Sequence, residues 1–191
     1  PEYIDIDLAS GGGTPAEKLD DFVNKKFKVS DVAGDGNCGI YSIIHGIISN
    51  PGIDNKKLLG SGDINRVSKE GDPIKYHPDL VKMIRKQIGD AYGTHNEAGK
   101  QRMDTGGWLT DEDMATYANL NGICIVIFEV EKTTDDKYKV VGGGYGEFET
   151  KVCTTATRIF IANISDPGST VNNNNKMRHH AEGKRLKESS I

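Results

Sequence analysis

Cysteine is scarce in this sequence. Only three occur in 191 residues, as Cys38, Cys124 and Cys153. No two stand in a Cys-x-x-Cys spacing and three cannot all pair within the chain, so neither a disulfide framework nor a thiolate zinc site is indicated. A reducing compartment is the expectation. Basic charge is not in excess either: 24 Lys and Arg stand against 28 Asp and Glu, a net charge of −4, which argues against a dedicated nucleic-acid binder with a basic face. No run approaches the roughly 18 apolar residues of a membrane helix, and no basic start followed by an apolar core marks a secretory signal. No internal repeat is present. The one low-complexity stretch, Asn172-Asn173-Asn174-Asn175, is too short to mean more than a polar loop. What these absences leave is one compact domain, long enough to bury roughly 70% of its unfolded surface without staples.

Thr14 as a cap and Pro15 in the first turn predict a helix over 15–26, after a polar, glycine-rich arm. Phe27-Lys28-Val29 reads as extended, and Gly34-Asp35-Gly36-Asn37 as a turn. Apolar residues at 40, 43, 44, 47 and 48 then repeat at helical spacing, which puts Cys38 at a helix N-terminus. Residues 50–76 lack periodicity and read as an irregular region suited to recognition. Leu80, Val81, Ile84 and Ile88 mark a helix from Pro78 that stops at Gly93, and Thr110 with Asp113 forms a capping box for another. The period then changes: Ile123–Phe128, Lys137–Val141 and Arg158–Ile164 read as strands. Helices first and strands later favour an α+β domain, with a small sheet against helices, over a doubly wound nucleotide-binding fold. The run Gly142-Gly143-Gly144-Tyr145-Gly146 does not lead from a strand into a helix, so it is no phosphate-binding loop.

The chemistry concentrates at Asp35-Gly36-Asn37-Cys38. A thiol at a helix N-terminus has its thiolate favoured by the helix dipole, and the glycine-containing turn can aim backbone N–H groups at a developing oxyanion. A lone cysteine is more often a small buried helix residue. A nucleophilic cysteine also needs a base, near in space and distant in sequence. Of the five histidines, His45, His77 and His95 suit structural or solvated roles. The pair His179-His180 follows the last predicted strand; alone it reads as an exposed tail, and beside the helix start it would serve as the base. Cys124 and Cys153 fall near predicted strands and read as small core residues. The cluster Lys176, Arg178, Lys184, Arg185 and Lys187 reads as a solvated tail.

Asp35-Gly36-Asn37-Cys38-Gly39-Ile40-Tyr41 resembles the Asp-Gly-x-Cys motif around the active cysteine of the ovarian-tumour (OTU) class of deubiquitinating cysteine proteases. Met103, Gly107-Trp108, Asp113-Met114 and Tyr117-Ala118 resemble a second segment of that class, and a late strand, loop and histidine a third. The match spans about residues 27–183, between an arm and helix at 1–26 and a polar tail at 184–191.

The resemblance implies a papain-like OTU fold, with a small central sheet packed between helices. It also implies a cysteine isopeptidase in which Cys38 attacks the carbonyl at ubiquitin's C-terminal glycine. A histidine would take the thiol proton and return one to the leaving lysine amine. Asp35, with the amides of Asn37 and Cys38, would form the oxyanion hole, and Trp108 would pack rather than react.

The family pattern at the tail is His, an aromatic residue, then an orienting Asp or Asn, and two registers compete here. His179 as base puts Ala181 in the orienting place. His180 puts Glu182 there, and alternation along a strand favours this register, because the residue two places on shares the catalytic face. An orienting acid from elsewhere would free His179 to serve.

No cofactor or metal is implied. The implied partners are ubiquitin, polyubiquitin chains or ubiquitinated proteins, with no nucleic acid and no membrane. The expected state is a monomer in the cytoplasm, or in a host cytosol for a bacterial or viral source. A reducing setting would also protect an exposed, low-pKa thiolate. The alternatives are a non-catalytic ubiquitin-binding module with an OTU-like fold, and a papain-like protease that processes a polyprotein.

Overall fold

The computed structural model describes residues 20–21, 23–25, 27–148, 157–165 and 184–188. In chain order the elements are a helical segment within 20–25 (α1), β1 (Phe27–Ser30), α2 (Cys38–Ser49), α3 (Asn55–Leu59), α4 (Pro78–Tyr92), α5 (Glu97–Asp104), α6 (Asp111–Asn121), β2 (Cys124–Lys132), β3 (Tyr138–Phe148), β4 (Arg158–Ser165) and β5 (Lys184–Glu188). The strands form one sheet in the order β1-β5-β4-β2-β3. β2 and β4 run parallel, with Cys124 opposite Arg158 and Val130 opposite Ile164. The other pairings are antiparallel.

A parallel central pair must be covered on both faces, which explains why β2 and β4 are apolar without alternation. Ile125, Ile127, Ile159 and Ile161 join the core formed with α2, α4 and α6. Val126, Phe128, Val130, Phe160, Ala162 and Ile164 face the other way, with Val140 of β3 and Val23 of α1. The rings of Phe128 and Phe160 stack there, their centroids 6.3 Å apart. The α+β architecture expected from the order of elements is the one observed.

Helix α2 is the centre of the first core: Ile40, Ile43, Ile44 and Ile47 are all fully buried. Its hydroxyl is accounted for, since Ser42 Oγ donates to the Cys38 carbonyl at 2.9 Å. Gly46 lets the helix touch the sheet; a methyl group there would lie 3.0 Å from the Cβ of Ile159. At the helix end the Asn50 amide donates to the Arg158 carbonyl at 2.9 Å. The C-terminal end of α2 therefore lies over the start of β4.

α4 begins with Pro78 in its first turn and ends at Gly93, and α6 carries the Thr110–Asp113 capping box in full. These boundaries follow the sequence signals. Four features do not. α5 carries few apolar residues, with Met103 its one large buried side chain, so its packing rather than its pattern makes it a helix. The irregular region contains the short α3. Lys184–Glu188, expected as a polar tail, pairs as a strand between β1 and β4. The glycine run from Gly142 lies inside β3.

Cys124 is a further correction. It is 1% exposed, as a core residue would be, yet it is disulfide-bonded rather than free. This removes the cysteine count as an argument for a reducing compartment. No described helix is long and apolar enough to cross a membrane.

Tyr117 is fully buried in α6, and its hydroxyl has no hydrogen-bond partner among the described residues. Removing an unsatisfied buried hydroxyl recovers its desolvation cost, so Tyr117→Phe is expected to stabilise the fold by about 1 kcal/mol or more. Burial pushes the Tyr117 phenol above its ordinary value of 10.0. A raised pKa means that the folded state holds the proton more tightly, so stability is full below that value and is lost as pH rises past it. Denaturant midpoints near neutral pH and above the ordinary phenol pKa check both effects; Tyr117→Phe should also flatten the alkaline loss.

Candidate active site

The turn before α2 is built around Asp35. Its Oδ1 accepts the Asn37 N–H at 2.9 Å, and its carbonyl accepts the Cys38 N–H at 3.1 Å. The helix continues from there, with the Tyr41 N–H on the Asn37 carbonyl at 2.9 Å. The other carboxylate oxygen of Asp35 accepts the Tyr41 hydroxyl at 3.3 Å and lies 3.6 Å from Lys75 Nζ. Burial, then the Asp35 charge, pushes the Tyr41 phenol up, so it remains a neutral donor. Aspartate at this position is thus a turn-former whose side chain replaces a missing backbone partner.

Cys38 is the first residue of α2 and, of the described cysteines, the one that is not disulfide-bonded. It is 1% exposed, which corrects the expectation of an exposed thiolate. The surrounding walls come from the second sequence segment. A methyl group on Gly36 would lie 3.2 Å from the Gly106 carbonyl and 3.6 Å from the Trp108 ring. One on Gly39 would lie 3.2 Å from Leu109 Cβ and 3.3 Å from Met114 Cε. Both glycines are small because the 106–114 segment packs directly on the turn. Trp108 therefore packs, as expected, and Met103, Tyr117 and Ala118 sit in the core.

The residue that sequence reasoning missed is Arg85. It lies in α4 and is buried, at 8% exposed. Its Nε and Nη2 donate to Asn37 Oδ1 at 3.2 and 2.8 Å, Nη2 donates to the Gly36 carbonyl at 3.1 Å, and Nη1 donates to the Gly107 carbonyl at 2.8 Å. Desolvation draws its guanidinium down from the ordinary value, opposed by the charges of Asp113 and Asp35. The available signal was an arginine inside an apolar stripe, between Ile84 and Ile88.

Asp35, Asn37 and Cys38 thus meet in one turn. The amides of Asn37 and Cys38, expected as oxyanion donors, here donate to Asp35. His179, His180 and Glu182 lie outside the described residues. Of the remaining histidines, His45 Nδ1 sits 2.9 Å from the Tyr76 hydroxyl, and His77 Nδ1 accepts the Asp79 N–H at the start of α4; both have structural work. A cavity of about 620 Å³ opens beside Lys82, Arg85, Lys86 and Lys100, so Arg85 is shared between it and the turn.

The architecture matches a known one. A solved structure of the Hazara virus OTU bound to ubiquitin superposes with a TM-score of 0.51 at 15% identity, covering 88% of this chain and 86% of that one. The fold is OTU-like. The viral OTU domain proteases of Taggert virus (TM-score 0.49, 14% identity, 88% and 84% covered) and Qalyub virus (0.49, 12%, 87% and 87%) are also similar. No protein-family model and no curated protein matches the chain. Cys38 stands at the start of α2 within this fold.

Proposed function

We propose that this chain is a cysteine isopeptidase that hydrolyses the bond between the C-terminal glycine of ubiquitin and a lysine side chain. The observation that carries the reading is the Cys38 thiol, outside any disulfide, at the first position of a buried helix, behind a turn held by Asp35 and Arg85. Sulfur in that place has its anion favoured by the helix N-terminus.

In the proposed reaction a histidine takes the Cys38 proton and the thiolate adds to the glycine carbonyl carbon. Charge collects on the carbonyl oxygen as the thiolate adds, beside the Asp35–Cys38 turn. The intermediate collapses to a thioester as the histidine protonates the departing lysine amine. Water then attacks the thioester with the same histidine as base, which frees the glycine carboxylate and restores the thiol.

His180, oriented by Glu182, is the proposed base, with His179 as the competing register. Their position in the sequence just before β5 is compatible with either. The C-terminal end of α2 lies over the start of β4, and Cys38 stands about 12 Å back along the helix from Gly46. β5 is antiparallel to β4 and starts at Lys184, opposite Ala162. Both histidines stand a few residues before Lys184 in the sequence.

Digestion of ubiquitin dimers of every linkage by the wild-type chain and by Cys38→Ala, His179→Ala and His180→Ala tests the proposal. Cleavage by wild type, lost in Cys38→Ala and in one histidine variant, is the expected pattern. His180→Ala is expected to lose roughly 10²-fold or more in rate and His179→Ala little. Ubiquitin binding without turnover would identify a binding module instead.

A further inference from the structure

We propose that Arg85 is a positioning residue for the nucleophile: through Asn37 and the Gly36 peptide it holds Cys38 at the angle from which it attacks. The inference rests on the isopeptidase reading of the same turn. Arg85 stands in the apolar stripe of α4 with Val81, Ile84 and Ile88. Burying a charge there is costly, and an apolar side chain would serve stability better. Its donors go to a side-chain amide and two backbone carbonyls, all in the turn before Cys38 or beside Trp108.

Peptide planarity turns these contacts into control of the turn. The Gly36 carbonyl and the Asn37 N–H belong to one rigid plane and point in opposite directions. Arg85 holds the carbonyl side at 3.1 Å and Asp35 Oδ1 the N–H side at 2.9 Å, so this peptide cannot rotate without breaking both bonds. Cys38 follows it directly. The contact to the Gly107 carbonyl fixes the Trp108 segment against the same turn. A guanidinium does this because its donors lie in a rigid planar fork, whereas lysine offers a point charge on a flexible stem. Arg85 and a Cys38 thiolate also attract one another, so charge and geometry must be separated by experiment.

The test uses the full chain with Arg85→Lys, Arg85→Met and Asn37→Ser, the last replacing the amide Oδ1 that Arg85 bonds by a shorter hydroxyl while leaving α4 untouched. Cleavage of ubiquitin bearing a C-terminal fluorogenic amide gives kcat and KM, and hydrogen exchange at residues 36–41 reports the turn independently of activity. Each variant is expected to lose roughly 100-fold in kcat with KM changed less than about threefold, and Asn37 N–H exchange should speed up roughly tenfold or more. Arg85→Lys should do no better than Arg85→Met. Wild-type kcat in Arg85→Lys overturns the proposal, because charge alone would then suffice; so does unchanged exchange in every variant. If Arg85→Met does not fold, Asn37→Ser decides by the same criteria. If the wild-type chain cleaves no ubiquitin substrate, the isopeptidase reading falls and takes the catalytic role of Arg85 with it, while the exchange comparison still decides whether Arg85 holds the turn.

Discussion

Cys38→Ala is expected to lower the cleavage of ubiquitin conjugates by roughly four orders of magnitude or more while leaving the chain folded. The activity loss follows from chemistry: no other group in the Asp35–Cys38 turn can form the thioester, so the reaction loses its covalent route. The fold survives for local reasons. Alanine favours the helix that position 38 begins, and the change removes one sulfur atom at the edge of a core built mainly from the isoleucines of α2 and the sheet. Activity and thermal unfolding measured on the same preparation check both halves. A variant that is inactive because it is unfolded would not support the assignment; a folded, inactive one does.

The second large effect is structural. Asp113 is fully buried, and its carboxylate accepts Arg102 Nε at 3.1 Å and Nη2 at 2.6 Å, the Thr110 N–H at 2.8 Å, and the Tyr92 hydroxyl. One side chain thereby fastens α4, α5 and the start of α6, the wall on which Leu109 and Met114 meet Gly39. Removing one member of such a buried group strands its partners, so Asp113→Ala is expected to cost about 3–5 kcal/mol, a fall in Tm of roughly 10 °C. Burial, then the bond to Asp113, pushes the Tyr92 phenol up, and the bond to Asp113 raises Arg102; both shifts should shrink in the variant. An unchanged Tm would mean that the network contributes no net stability.

The elements legible in the sequence were those whose signals are local. α2, α4 and α6 combine an apolar stripe with a cap or a stop, and β2 and β4 are apolar runs of strand length. β5 offers Lys-Arg-Leu-Lys-Glu, with one apolar residue in five; its partners β1 and β4 supply the hydrogen bonds that make it a strand, and neither is near it in sequence. α5 owes its place to a few contacts such as Met103 on Gly89 rather than to a periodic face. The disulfide of Cys124 had no signal at all, because the spacing of three cysteines does not reveal which two approach.

The site divides in the same way. Asp35-Gly36-Asn37-Cys38 acts within four residues, through an Asp-centred turn opening a helix, so its identity was readable directly. The role of Arg85 depends on a contact with a residue 48 positions away, and only the packing of α4 against the turn reveals it. The second matched segment, from Met103 to Ala118, lies well apart from the first in sequence. In the fold it is the covering of the first, with Trp108 over Gly36 and Leu109 and Met114 against Gly39, which explains why both patterns occur in one chain.

The most direct measurement of the central claim is labelling with a ubiquitin probe that carries an electrophile at its C-terminus, followed by mass-spectrometric identification of the modified residue. The account predicts one adduct per chain, on Cys38, and none on Cys38→Ala. A wild-type chain that is folded and unlabelled, or an adduct on any other residue, would contradict it.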